Sequence, residues 1–202
     1  MIRLGRIGYV NMAPVFYRVE AEYDEVVGVP TGLNRALLDG ECDLAPISSI
    51  EYGRNAERLR ILPRLCVSSE GAVDSIQLVS RLPLEQVRSI AVTPESATSV
   101  VLTRVLLPEA EHVPLGVDAD ATLLIGDAAL QSAFNDPTPH YDLGRLWLER
   151  TRLPMVFAVW ACPDPPPEEA PELHFVFVVA DDRIVEMRDY PNRRAALEAV
   201  GL

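Results

Sequence analysis

Four polar corners hold most of the chemistry this sequence could offer. Residues 6–14 read Arg6-Ile7-Gly8-Tyr9-Val10-Asn11-Met12-Ala13-Pro14, an apolar run that stops at Asn11 before Pro14 opens a helix-like segment. Ser48 and Ser49 follow the apolar run Asp43–Ile47, and Ser75 opens the run to Ser80. The fourth corner, Ser96-Ala97-Thr98-Ser99, opens a helical stretch reaching Leu107. An asparagine amide offers a donor and an acceptor without charge, and a hydroxyl does the same. Free backbone N–H groups at a helix start add a preference for anions. Together these groups suit a polar small molecule bearing carboxylates. Each corner alone also fits a turn residue or a helix cap. Gly126-Asp127, after the run Ala121–Ile125, reads chiefly as a strand-to-helix turn with a capping carboxylate, and a catalytic role for Asp127 stays open.

Composition removes several alternatives. All 18 basic residues are arginine. A chain without lysine has no Schiff-base, enamine or P-loop lysine chemistry. Cys42, Cys66 and Cys162 lie far apart, as do His112, His140 and His174, so no metal-ligand spacing or disulfide framework emerges. The glycines follow no dinucleotide-binding pattern, and nothing calls for a cofactor. A net charge of −12 speaks against a nucleic-acid surface. No apolar run approaches the ~20 residues of a membrane span. No secretory h-region follows Met1-Ile2-Arg3, so the expected location is the cytoplasm.

The elements that would position the corners follow from periodicity. Strands are expected at Arg3–Val10, Val26–Val29, Asp43–Ile47, Leu65–Ser68, Ser75–Ser80, 90–93, Ala121–Ile125 and Met155–Ala161. Helices are expected from Pro14 to about Glu20, over Leu33–Leu38 with Thr31 or Gly32 as cap, from Ile50, over Ser96–Leu107, from Ala128 and over Leu143–Arg150. Alternating strands and helices predict an α/β fold with parallel pairing. A proline-rich acidic linker (163–172) then leads to a hairpin, Leu173–Ala180 and Ile184–Tyr190, and a short helix to Val200 capped by Asn192.

Taken in order, the motifs resemble the menaquinone-biosynthesis MqnA/MqnD family. The resemblance rests on Gly5-Arg6-Ile7-Gly8-Tyr9-Val10-Asn11-x-x-Pro14, Leu33-Asn34-Arg35-x-Leu37-x-x-Gly40-Glu41-x-Asp43 and Ser48-Ser49-x-Glu51-Tyr52. It continues through Gly71-x-Val73-x-Ser75, Ser96-Ala97-Thr98-Ser99, Leu124-Ile125-Gly126-Asp127-x-Ala129-Leu130, Tyr141-Asp142-Leu143-Gly144-x-x-Trp147 and Leu153-Pro154-x-Val156-Phe157-Ala158-Val159-Trp160. It spans about residues 2–161 and looks closer to the chorismate dehydratase branch.

The resemblance implies a two-lobed, periplasmic-binding-protein-like type II fold with the ligand between lobes. Lobe 1 would run over 1–77, lobe 2 over 78–155, and the return crossing over 156–162. The stretches 75–80 and 155–161 would make the two interlobe crossings. The implied reaction is loss of water from chorismate, a dicarboxylate, to give 3-[(1-carboxyvinyl)oxy]benzoate in the futalosine route, with the substrate's own enolpyruvyl carboxylate as base. Asn11 and Ser75 match the residues that orient substrate and support elimination. Tyr9, Ser48, Ser49, Gly71, Ser96, Thr98, Ser99 and Asp127 match substrate-contacting positions. No metal or cofactor is implied.

Two departures from the family stand out. The segment Leu107–Ala121 is short, and residues 174–202 weakly resemble a SnoaL-like (nuclear-transport-factor-like) C-terminus instead of the family's returning helices. A first lobe without those helices exposes apolar surface, which predicts oligomerisation or instability. Two other functions fit the same corners: a non-catalytic binder of small carboxylates, and the sister lyase that forms 1,4-dihydroxy-6-naphthoate.

Overall fold

The computed structural model describes residues 1–17, 22–165, 174–180 and 183–190. The chain begins with β1 (Ile2–Ile7), a 3-10 turn over Val10–Met12, and α1 (Ala13–Phe16). Asn11 therefore sits within a tight turn and not at a strand tip. The expected first helix is cut short, because Tyr17 is already extended; residues 18–21 lie outside the described residues. Strand β2 (Tyr23–Gly28) pairs in parallel with β1, and α2 (Pro30–Leu38) follows. Its cap is Val29, not Thr31 or Gly32: Pro30 at the first helical position has its φ preset and no N–H to satisfy. Leu33, Ala36 and Leu37 form the buried stripe of α2, with Asn34 among them.

Next come β3 (Ala45–Ser48), α3 (Ser49–Arg54) and the long β4 (Leu59–Ser69). The chain then passes to a second sheet, with β5 (Ile76–Ser80), β6 (Ser89–Val92), α4 (Ala97–Leu106), β7 (Glu111–Pro114), β8 (Ala121–Ile125), α5 (Gly126–Asn135), β9 (His140–Asp142) and α6 (Leu143–Thr151). It returns through β10 (Met155–Pro163), and the expected hairpin is present as antiparallel β11 (His174–Ala180) and β12 (Arg183–Tyr190). The linker from 166 onward and the expected last helix, 193–200, lie outside the described residues. Both passages between sheets, residues 70–75 and 152–154, fall just before the strands β5 and β10 that had been expected to form them.

The sheets are mixed and not purely parallel. The second has the order β7-β6-β8-β5-β9, with β5 antiparallel to both neighbours. In the first lobe β2 pairs with β1, β1 meets the start of β3 at the parallel bridge Leu4–Leu44, and β3-β10-β4 completes the set with β10 antiparallel to both. Both lobes thus share one order: second, first and third strand, an antiparallel strand beside a crossing, then the fourth. The close approach of β1 to β3 depends on Gly5, where a Cβ would lie 2.6 Å from the Cβ of Ala45.

Each lobe has its own core. Ile7, Leu33, Leu37, Ile47 and Ala161 pack in the first, and Leu78, Ile90, Leu102, Leu123 and Leu143 in the second. Strand β10 serves both, since its Phe157 belongs to the second core and its Ala161 to the first. Strands β7 and β9 escape a periodicity search because Glu-His-Val-Pro and His-Tyr-Asp are too short and polar to alternate. A six-residue link, 115–120, joins β7 to β8 without a helix.

Asp142 fixes the first crossing against the second lobe. Its carboxylate accepts from the backbone N–H of Val73, Asp74 and Arg145 and from Gln77 Nε2, at 2.7–3.1 Å. The Arg145 contact also caps α6. Asp142→Ala removes a cap and strands two half-buried donors, Val73 N–H and Gln77 Nε2, so it should destabilise the protein by about 2–4 kcal/mol. Equilibrium denaturant unfolding measures this loss.

Candidate functional site

The polar corners converge where the two lobes face each other. A cavity of about 70 Å³ there is lined by Tyr9, Asn11, Ser48, Ser75, Ser96, Ser99 and Gly126, with Ile7, Met12, Val67, Val73, Ile125 and Phe157 among its apolar walls. Asn11 is solvent-exposed, and its Nδ2 donates to Ser75 Oγ at 3.2 Å. Ser75 is 5% exposed, and its carbonyl accepts from Gly126 N–H at 2.8 Å. These two residues, expected to do the chemistry, thus meet across the first-strand turn of one lobe and the crossing.

The hydroxyl corners differ in what they do. Ser96 caps α4, accepting from Ser99 N–H at 3.2 Å, and its Oγ lies 2.8 Å from Ser99 Oγ. The N-terminal end of α4 therefore borders the cavity, and its dipole favours an anion there. Ser48 precedes α3 but makes no cap bond. Its backbone N–H donates to Asn34 Oδ1 at 2.9 Å, and its Oγ accepts from Asn34 Nδ2 at 3.1 Å. Capping thus accounts for Ser96 and leaves Ser48, Asn11 and Ser75 for other work.

Four other expected contacts do not line the cavity. Ser49 and Thr98 face each other between lobes, with Oγ and Oγ1 3.3 Å apart, and Ile50 N–H donates to Thr98 Oγ1 at 3.4 Å. Asp127 accepts from Val10 N–H at 2.9 Å, reaching the opposite lobe instead of capping α5. Gly71 lies in the first crossing with φ +115, and its carbonyl accepts from Ser69 Oγ. Each lobe's first-strand loop is tied to the other lobe's third-strand loop: Val10 to Asp127, and Thr98 to Ser49 and Ile50.

At the seam, Tyr9 meets residues that were not expected at the site. Tyr9 OH donates to Glu95 Oε2 at 2.7 Å, and Thr31 bonds Pro94 and Glu95 carbonyls through its hydroxyl and N–H. Burial, followed by the hydrogen bond and charge of Glu95, pushes the Tyr9 phenol well above its ordinary pKa. Gly126 has φ +55, and a Cβ there would lie 2.6 Å from the Tyr9 ring. Asn34 left one readable trace, an amide in the apolar stripe of an amphipathic helix. Glu95 left none and Thr31 read only as a cap of α2, because their partners lie in the other lobe.

His112 and His140 lie elsewhere in the second lobe, bonded to Thr103 and Ser132. Among the lining residues, Tyr9 is the one titratable side chain. The cavity is well below the ~300–1,000 Å³ of pockets that hold drug-sized ligands, so entry of such a ligand needs the lobes to part. Hinged closure about two crossings is the motion this architecture allows.

Comparison with known proteins adds three findings. A family model described as menaquinone biosynthesis matches residues 2–198. The match covers residues 174–198, so the family extends over the segment expected to depart from it. A chorismate dehydratase from Thermus thermophilus is 37% identical over 194 residues, covering 82% of this chain and 72% of that protein. A chorismate dehydratase from Campylobacter jejuni is 32% identical over 169 residues, covering 78% and 66%. The chain thus spans roughly two thirds to three quarters of the length of these relatives. Among solved structures, protein AF1704 from Archaeoglobus fulgidus superposes with a TM-score of 0.67 at 22% identity, covering 83% of this chain and 70% of that one. The periplasmic aliphatic sulphonate binding protein SsuA from Escherichia coli superposes with a TM-score of 0.55 at 15% identity, covering 83% and 66%. Both likenesses concern the fold, a two-lobed type II arrangement. No helix among the described residues is long and apolar enough to cross a membrane.

Two outcomes follow from the seam. Gly126→Ala should hold the lobes apart, lowering ligand affinity at least tenfold while leaving each lobe folded, as small-angle scattering and titration would show. The raised phenol pKa means that the Tyr9 contribution to stability is complete below the ordinary tyrosine value of ~10 and fades as pH rises toward the folded value. Unfolding free energy should therefore fall above about pH 10, by less in Tyr9→Phe than in the wild type.

Proposed function

Given that this chain belongs to the menaquinone biosynthesis family, we propose that it removes water from chorismate to give 3-[(1-carboxyvinyl)oxy]benzoate. The similarity to two chorismate dehydratases supports the substrate. The observation that carries the mechanism is the composition of the cleft: hydroxyls, one amide and a helix start, with Tyr9 as its one titratable group. Tyr9 is an unsuitable base, because its proton is held toward Glu95 and its pKa is raised. A substrate that brings its own base suits such a cleft, and the enolpyruvyl carboxylate of chorismate is one.

In this reading the carboxylate takes the proton from the ring carbon bearing the ether. The C–H electron pair becomes the third ring double bond as the hydroxyl leaves the neighbouring carbon. The product is aromatic, so the driving force is large, and the protein's task is to hold one conformer. Orientation of this kind supplies several kcal/mol of barrier lowering. Asn11 and Ser75 are the orienting pair, and Ser48, Ser96 and Ser99 take the substrate's oxygens beside the α4 N-terminus. Ser49, Thr98 and Asp127 act at one remove, holding the lobes together, and Tyr9 contributes a wall and the latch to Glu95. Gly71 belongs to the hinge. No cofactor enters the scheme, and we place the reaction in the cytoplasm.

The test is incubation of purified protein with chorismate. Loss of the diene absorbance with appearance of the aromatic ether is expected. Asn11→Ala and Ser75→Ala should each lower kcat by at least about a hundredfold, with smaller effects on KM, since they act on orientation. Chorismate binding without turnover would replace this reading with a carboxylate-binding protein.

A further inference from the structure

Asn34 is the one buried amide in the apolar stripe of α2, 3% exposed, and it bonds Ser48 twice. The direction of both bonds is fixed by elementary chemistry. A backbone N–H can only donate, so the side-chain atom facing Ser48 N–H has to be the amide oxygen. That leaves Asn34 Nδ2, also a pure donor, facing Ser48 Oγ. The Ser48 hydroxyl therefore receives a hydrogen bond from the protein side, and no acceptor for its own proton occurs among the described residues. Ser48 is 2% exposed and lines the interlobe cavity.

From this we infer that Asn34 is a positioning residue that turns the Ser48 hydroxyl to donate into the cleft, where it favours an acceptor such as a carboxylate oxygen. A free serine hydroxyl rotates and can serve a donor or an acceptor equally. With one of its two lone pairs taken by Asn34 Nδ2 and no protein acceptor for its proton among the described residues, Ser48 offers that proton to the ligand and keeps a single lone pair for any donating group, so it favours ligand acceptors. This gives the first lobe a contact that favours acceptor oxygens in a cleft lined by neither arginine nor histidine. A neutral donor of this kind also leaves the substrate carboxylate less tightly neutralised than a guanidinium would, and so still basic. The inference rests on the cleft being the ligand site, and it deepens the reading above by naming the group recognised at Ser48.

A double-mutant cycle tests it, read by calorimetric titration with two probes, chorismate and isophthalate (an aromatic dicarboxylate that cannot lose water). Asn34→Asp keeps the acceptor for Ser48 N–H but replaces the donor by a second acceptor, which draws the hydroxyl proton inward. Its binding of both probes should weaken at least about tenfold. Ser48→Ala should show a similar loss. In the Ser48→Ala background, adding Asn34→Asp should cost much less than it does in the wild type, because a general effect of charge or packing persists there while the effect on the hydroxyl does not. If Asn34→Asp does not fold, Asn34→Leu carries the same cycle: it frees the hydroxyl rotor, so its expected loss is smaller, about threefold, and is again absent without Ser48. Equal losses in both backgrounds overturn the inference, as does unchanged binding by Asn34→Asp. Failure of the wild type to bind either dicarboxylate also overturns it. Wild-type binding of chorismate without turnover removes the dehydratase reading alone and leaves the cycle to decide the role of Asn34.

Discussion

A single carboxylate, Asp142, collects four N–H donors and decides where the two lobes meet. Two of the donors belong to Val73 and Asp74 in the first crossing, one to Gln77 on β5 and one to Arg145 at the start of α6. Ser75 stands inside this set, one residue after Asp74 and two before Gln77. Its place against Asn11 is therefore inherited from Asp142. Helix α6 can approach the crossing this closely because Gly144 follows, where a Cβ would collide with the Gly71 carbonyl. Cap, crossing and cleft residue are one connected hydrogen-bonded unit.

The lobes repeat one strand order, and their seam repeats one pattern of ties. The first-strand loop of each lobe grips the third-strand loop of the other: Val10 with Asp127, and Thr98 with Ser49 and Ile50. The Tyr9–Glu95 bond then joins the two first-strand loops to each other. These three contacts span the seam, and the cavity-lining side chains sit inside the ring they make. The polar atoms that do not line the cavity are thus as much part of the site as those that do.

Much of this was legible in the sequence because the positions carry local signals. Asn11, Ser48, Ser75 and Ser96 stand at the ends of apolar runs, and a break in periodicity marks them. What stayed hidden depends on partners far along the chain. Asp127 read as a local cap, yet its carboxylate answers Val10, 117 residues away. Glu95 carries no local signal and Gly126 reads as a turn glycine, yet the Tyr9 hydroxyl bonds the first and the Tyr9 ring lies against the second. The parallel sheet expected from alternating elements became mixed for a related reason: β5 and β10 enter the sheets from crossings, and a crossing reverses direction without leaving a mark in residue type.

The position of β10 carries a consequence for biogenesis. Strands β3 and β4 are hydrogen-bonded neighbours of β10 and not of each other. The second lobe is built from one continuous stretch, so it can form as soon as that stretch is synthesised. The first lobe cannot close its sheet until residues 155–163 arrive, and until then β3 and β4 each present an unpaired edge. Open edges of this kind invite pairing with other chains, and late, non-local pairing slows folding. The nascent chain is thus most exposed to misassembly in the interval between completing its second lobe and completing its first.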